Sequence, residues 1–382
     1  MSFDVTHLLI FMFIFMSVSS LFILLDLNPN STRFKVLKNT NKQVTIPRVT
    51  LPTYSDQILD TTHFNYNGAC SKVFKYLPNN KRDLWLSAIG INSQKYYEQI
   101  MKDVPLVFGL SNSSIPNADK VLLFLPGYNY TELSTMAQSY GFQTVEIDLP
   151  NIKKCQDASK RFFAFKEYLE DKLQLYDRVL ISDFRDVYIF ADFFATFSAQ
   201  DLVFTPECSY DHEECVTLNQ VDVKNWMANG YGKDMAETYA KNNSLLMNVG
   251  TIFGGTKKVF NYITLMTENL SPEKYKDWGY DQAVHNVIFY TYYFNKNYIY
   301  YNDTNQIEFG EDNGREEDII DMKKYQLDRC SQRFCFREKN TCIYDKQKKI
   351  VFTKNTMCAP VLRHKILANG LKLDWCGKPQ KV

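Results

Sequence analysis

One stretch constrains the fold more than any other: Val179-Leu180-Ile181-Ser182-Asp183-Phe184-Arg185-Asp186-Val187, a short apolar run ending in two closely spaced carboxylates. Apolar runs of four to eight residues bounded by polar turn signals have the form of a buried strand, and open α/β sheets bind ligands at the carboxyl ends of such strands. This reading puts Asp183 and Asp186 at a ligand site. Oxygen ligands at this spacing suit Mg²⁺ or Mn²⁺, hard cations that complete their shell with water and substrate phosphates. The same residues also read as an Asp-rich turn in which Arg185 pairs with a neighbouring carboxylate.

The surrounding sequence alternates strand and helix signals. Leu106-Val107-Phe108, Val121 to Leu125, Thr144 to Ile147 and Asp201 to Thr205 read as strands. Glu132 to Tyr140 reads as a helix closed by Gly141, and a long amphipathic helix runs from about Ile152 to Leu175, with Phe162, Phe163, Phe165, Tyr168 and Leu169 as its apolar residues. Such alternation predicts an α/β fold, a mostly parallel Rossmann-like sheet with helices on both faces. The 382 residues allow one large or two ordinary domains. A net charge of +1 provides no basic field for nucleic acid, so none is expected as a partner.

Residues Leu8 to Leu25 form an apolar run that continues past Ser17, Ser19 and Ser20, where a cleaved signal peptide would end. We therefore expect a short cytoplasmic tail (1–7) and a signal-anchor transmembrane helix (8–25) that ties the chain to a membrane. A stem (26–64) broken by Pro29, Pro47 and Pro52 would follow, then an amino-terminal extension (65–104) containing Trp85, Leu86 and a helix through Tyr96 to Met101. The catalytic domain would span 105–382 and end in a cysteine-rich segment.

Two signals disagree on orientation. Arg33, Lys35, Lys38, Lys42 and Arg48 follow the run and no basic residue precedes it, which places the body in the cytosol by the positive-inside rule. Sequons at Asn30, Asn112, Asn129, Asn242, Asn269 and Asn302 point to the lumen, as do the nine cysteines. Cys208 and Cys215 flank a polar loop, and Cys330, Cys335, Cys342, Cys358 and Cys376 crowd the carboxyl end in a pattern suited to disulfides. Zinc is the competing reading, but the cluster lacks a Cys-x2-Cys knuckle and an internal histidine. Cys155 is the expected free thiol. On balance we expect a single-pass type II protein of the Golgi or endoplasmic reticulum membrane with a lumenal catalytic domain.

Three further motifs follow in order. Leu246 to Gly255 reads as a strand carrying Asn248 and Gly250, Gly279-Tyr280-Asp281-Gln282 opens a helix with a carboxylate at its positive end, and His364 precedes Gly370, Lys372 and Trp375. Trp226 and Tyr231 have two readings, an acceptor pocket or the core.

The order of carboxylate pair, Asn-x-Gly, Asp-Gln-x-x-x-Asn and late His resembles nucleotide-sugar transferases of the GT-A fold. The resemblance covers about residues 105–375 and is closest to retaining families such as the one containing glycogenin. An Asp-x-Arg-Asp motif also recurs in poorly characterised eukaryotic transferases. The resemblance implies Mn²⁺ (or Mg²⁺) held by Asp183, Asp186 and His364, with a nucleotide-diphosphate sugar as donor. Phe108 and Gly109 would lie near its base, with Arg161 (or Lys160), Asp183, Arg185, Asn248, Gly250 and Lys372 along the rest of it. Asp281 and Gln282 would act beside the donor sugar, and the acceptor would be a glycan, glycoprotein or lipid. The chain departs from the family twice: Asp183 and Asp186 are one residue further apart than in Asp-x-Asp, and the family ending His-x-x-Gly-x-x-Lys-Pro-Trp is only echoed. Inversion would instead need a base, for which Glu207, Glu213 and Glu214 are available. Two rivals from other classes are a non-catalytic, membrane-anchored glycan-binding or chaperone-like relative and a cytosolic nucleotidyltransferase.

Overall fold

Strands that are apolar on both faces must be covered on both, and the central strands here are of that kind. In the computed structural model, Trp85 and Ile89 of Asp83–Ile89 enter one buried cluster with Leu180, Val203 and Phe253, while their neighbours Leu84, Leu86, Val179, Ile181 and Ile252 are equally buried. The structure describes residues 74–152, 155–209, 214–242, 244–294, 299–301, 307–308, 342–345, 347–353 and 361–364, together with 35–36, 60 and 66.

The strands are β1 (Lys35–Val36), β2 (Asp83–Ile89), β3 (Asp119–Phe124), β4 (Gln143–Glu146), β5 (Arg178–Ser182), β6 (Val187–Ile189), β7 (Leu202–Pro206), β8 (Cys208–Ser209) and β9 (Glu214–Cys215). The remainder are β10 (Met247–Gly255), β11 (Ile299–Tyr301), β12 (Ile307–Glu308), β13 (Cys342–Asp345), β14 (Ile350–Thr353) and β15 (Leu362–His364). Nine of them form one mixed sheet in the order β1-β4-β3-β2-β5-β10-β7-β11-β12. β4, β3, β2 and β5 pair in parallel, β10 runs against both β5 and β7, and β11 is parallel to β7. Most strands of the sheet thus run one way, and the architecture is α/β as the alternation predicts.

The helices are α1 (Gln94–Ser114), α2 (Thr131–Ser139), α3 (Asp157–Leu169), α4 (Val221–Tyr231), α5 (Lys233–Lys241), α6 (Thr256–Asn269) and α7 (Tyr280–Ile288). α3, α6 and α7 pack together against β2, β5 and β10, and the cluster on the other face contains residues of α1, α2 and β6. Both faces are covered, as the strand composition requires.

Three expectations are corrected. Leu106-Val107-Phe108 is not a strand but the middle of α1, whose residues from Asp103 to Ser111 are all buried. A helix buried all round loses its 3.6-residue signature and reads as a continuous apolar run. Pro105 sits inside it and removes one backbone donor at a typical cost of ~3 kcal/mol, which the burial of Val104, Leu106, Val107, Phe108 and Leu110 offsets. Secondly, the segment expected as an extension holds β2, which lies between β3 and β5, so a boundary at 105 would cut through α1. Thirdly, the helix expected from Ile152 to Leu175 is shorter, spanning Asp157–Leu169.

No helix among the described residues is long and apolar enough to cross a membrane. The expected tail, anchor and most of the stem lie outside the described residues, as do Lys372, Trp375, Cys330, Cys335, Cys358 and Cys376. Cys155 is a free, buried thiol, its pKa raised to about 12 by that burial.

Candidate metal centre and its cavity

β5 delivers Asp183 to the site, and the ladder continues one step beyond it: the Asp183 amide donates to the Gly250 carbonyl at 2.8 Å. The chain then turns. Phe184 is buried among Trp85, Phe108 and Phe142, with ring centroids 6.4, 5.3 and 6.4 Å away. Arg185 stands over the Tyr96 ring at 5.1 Å. With Phe184 anchored in the core, Asp183 and Asp186 both face the same cavity. β6 starts directly after Asp186 and pairs antiparallel with β15, Val187 opposite His364. That pairing brings His364 to Asp183, from which it is 181 positions away in sequence. His364 Nε2 lies 3.1 Å from Asp183 Oδ2 and 3.9 Å from Asp186 Oδ2.

Two carboxylates and an imidazole, with ligand atoms all within 4.8 Å of one another, form a triad able to hold a metal ion. The mixed oxygen and nitrogen donors suit Mn²⁺ well and Mg²⁺ less well, since magnesium favours oxygen ligands and neutral imidazole suits transition metals. Gly250 closes the site from β10. A Cβ there would collide with the His364 ring, the Asp183 carboxylate and Asn248 Oδ1. Close packing, not backbone conformation, is what demands glycine.

The triad opens on a cavity of about 560 Å³. Arg161, projecting from the second turn of α3, ion-pairs with both Asp183 and Asp281, the latter at 3.2 Å. Its side chain is 10% exposed, and Nε has no hydrogen-bond partner among the described residues. The cation thus holds together the carboxylate after β5 and the one that opens α7. Lys160 faces elsewhere and pairs with Asp157 at 3.4 Å.

The Asp-Gln-x-x-x-Asn motif has a backbone task. β10 breaks register between Asn248 and Ile252, leaving main-chain groups without ladder partners. Gln282 donates to the Met247 carbonyl and accepts from the Val249 amide at 3.2 Å. Asn286, one turn on, accepts from the Met247 amide at 2.9 Å and donates back to its carbonyl at 3.0 Å. Gln282 therefore positions β10, while Asp281 presents a carboxylate to the cavity. Asn248 accepts from the Gly250 amide at 2.7 Å and donates to Glu207 at 2.8 Å.

Asp183, Asp186, His364, Arg161, Arg185, Asn248, Gly250, Asp281 and Gln282 all line this cavity. Phe108 and Gly109 do not: both are buried within α1, and the place expected for them is taken by Ala88, Ile89 and Gly90 at the end of β2. Gly90 after the run Asp83–Ile89 was the sequence signal for that turn, and a Cβ on it would strike the Asp157 carboxylate. Glu207 is outside the cavity lining, and the side chains of Glu213 and Glu214 lie outside the described residues. Trp226, half-buried, lines the cavity, and so does the exposed Trp278, for which the sequence offered no signal. No protein-family model and no curated protein matches the chain.

Proposed function

We propose that the chain is a metal-dependent GT-A glycosyltransferase, transferring a sugar from a nucleotide-diphosphate donor to a glycan, glycoprotein or lipid acceptor with retention at the anomeric carbon. The observation that carries this is the convergence of Asp183, Asp186 and His364 at the carboxyl end of β5, on a cavity that also holds Arg161 and Asp281. Asp183, Asp186 and His364 would hold Mn²⁺, which supplies charge neutralisation of the diphosphate leaving group. Arg161 and Arg185 add fixed positive charge beside the same cavity, where charge develops as the sugar–phosphate bond breaks. Asp281 faces the cavity as a carboxylate suited to stabilising an oxocarbenium-like sugar, and Gln282 holds the strand in front of it. Glu207, one of the carboxylates considered for inversion, is outside the cavity lining and accepts a hydrogen bond from Asn248.

The test is a panel of nucleotide sugars assayed for Mn²⁺-dependent hydrolysis, with proton NMR of the first-formed product. Retained configuration in the wild type and a loss of at least 100-fold in Mn²⁺-dependent donor affinity in Asp186→Ala are expected. Inverted product would remove the retaining assignment, and unchanged affinity in the variant would remove the metal site.

One observation favours a second reading. Arg161 already neutralises Asp183 and Asp281, as it would in a glycan-binding relative that keeps the fold without turnover. Donor hydrolysis separates the two. We propose a type II Golgi or endoplasmic reticulum location on the apolar run and the sequons, of which Asn112, Asn129 and Asn242 are exposed. A mass unchanged by deglycosylation would count against it.

A further inference from the structure

We propose that the α4–α7 side of the cavity is the acceptor subsite, and that its ligand is a pyranose ring of a glycan stacked on the indoles of Trp226 and Trp278. The inference rests on the glycosyltransferase reading above and names its acceptor class. Sheet order divides the cavity about Asp183. Ala88 to Gly90 lie at the end of β2 on one side of β5, and Asn248 to Gly250 lie in β10 on the other. α7 is fastened to β10 through Gln282 and Asn286, and α4 packs against α7. Trp226, on α4, therefore belongs to the β10 half, and Trp278 stands just before α7 on a loop whose Tyr275 and Lys276 carbonyls accept from Gln156 at the start of α3.

Trp226 is fixed in place. Its indole lies so close to Gly279 that a Cβ there would collide with the ring, and Gly279 has a φ of +76°, so glycine is required for space and for conformation alike. Trp278, the next residue back, is 69% exposed yet lines the same cavity. Trp85, by contrast, is buried and donates its ring N–H to Ser182 at 2.8 Å. Both indoles line the cavity that Asp281 also lines, so each can offer apolar surface to a sugar there. The C–H groups on a pyranose face carry slight positive charge and suit the negative face of an indole, and a Trp freezes only two torsions on binding. Hydroxyl-rich faces of the sugar would point to the polar cavity.

The probe is an array of neutral oligosaccharides built from glucose, galactose, mannose and N-acetylhexosamines, applied to the full-length protein with Mn²⁺ and, in separate runs, UDP, GDP, ADP or CDP. Trp278→Ala should weaken the best-bound glycan at least tenfold and Trp278→Phe much less, while Leu175→Ala, at an exposed apolar residue outside the cavity, should leave it unchanged. Trp278 is exposed, so its variants are expected to keep the fold, which circular dichroism checks. The proposal is overturned if the wild type binds no oligosaccharide, if Trp278→Ala binds as tightly as wild type, or if that variant loses the nucleoside diphosphate and not glycan, which would make the indole a nucleobase platform. Mn²⁺-dependent binding of UDP, GDP, ADP and CDP by the wild type is measured in parallel. Absence of binding across all four defeats the transferase reading, whereas binding of one of them with a blank array defeats only the acceptor subsite.

Discussion

The two ends of β5 carry charged clusters of opposite character. At its start, Arg178 makes a bidentate pair with Asp83 at 2.7 and 2.6 Å, and its guanidinium also donates to the carbonyls of Leu77, Phe194 and Phe197. Asp83 is fully buried, and its remaining capacity is filled by Asn80. At the other end, Asp183, Asp186 and His364 meet with one cation, Arg161, shared between Asp183 and Asp281. Their carboxylates keep 31% and 21% of their side-chain surface exposed to the cavity. Both clusters are polar groups placed by the same strand, but the first is closed by protein partners and the second faces open space. A buried charge set whose every group is satisfied holds a fold together, and a convergent set that faces a cavity is arranged for a ligand.

The sharpest way to break this comparison is at the closed end. Arg178→Met leaves Asp83 buried and unpaired, so unfolding free energy should fall by roughly 3–5 kcal/mol, read by chemical denaturation. Asp186→Ala should do the reverse, removing metal affinity while costing roughly 1 kcal/mol or less of stability. If Arg178→Met is as stable as wild type, or if Asp186→Ala is the more destabilised of the two, the division between structural and functional ends fails.

His285 extends the comparison to α7, four residues beyond Asp281. It is fully buried, with Nδ1 2.7 Å from the Tyr262 hydroxyl, and burial lowers its pKa to about 3. Because the folded state keeps this imidazole neutral while the unfolded chain protonates it near pH 6.5, the unfolded state binds more protons in between. Stability is therefore fully present above pH 6.5 and is lost as pH falls through that window, by about 2 kcal/mol at pH 5 from this residue alone. His285→Gln should be less stable at pH 7 but should lose about one proton's worth of slope between pH 6.5 and 5. An unchanged slope would show that His285 is charged in the fold.

The sequence disclosed the site better than the scaffold. Strands β3, β4, β5, β7 and β10 and the carboxylate-opened helix α7 follow from short apolar runs ended by polar turns, because those signals are local. The partnership of Asp183 with His364 depends on β6 pairing with β15, and no local property of either segment encodes it. It was accessible only through the order of motifs. Helix α1 was misread because Val104 to Leu110 is buried on every side and thus has no polar face to mark the turn of the helix. β2 was missed because Asp83 and Ser87 interrupt it; both are buried polar residues whose partners, Arg178 and Ser182, come from β5. The role of Gln282 was misjudged in part for the same reason. Its target is the interrupted backbone of β10, and a register break of that kind leaves no trace in composition.

The smallest expected effect tests the comparison along a single neighbouring strand. β10 runs antiparallel to β5, so Gly255 lies opposite Arg178 and Thr251 opposite Ser182, which places the glycines of β10 at both ends of the contrast. A Cβ on Gly255 would meet the Ala199 carbonyl oxygen, a backbone atom that cannot move without its segment. A Cβ on Gly250 would meet the His364 ring and the Asp183 carboxylate, side chains bordering open cavity. Gly255→Ala should therefore act as overpacking, costing about 1–3 kcal/mol of stability and leaving Mn²⁺ affinity of the folded protein intact. Gly250→Ala should cost less stability but displace His364 from Asp183, weakening Mn²⁺ binding about tenfold, or about 1.4 kcal/mol. Calorimetric titration of Mn²⁺ and denaturant midpoints on the two variants give the four numbers needed. If Gly250→Ala binds Mn²⁺ as wild type does, the glycine does not shape the triad, and the case for a metal there rests on Asp183, Asp186 and His364 alone.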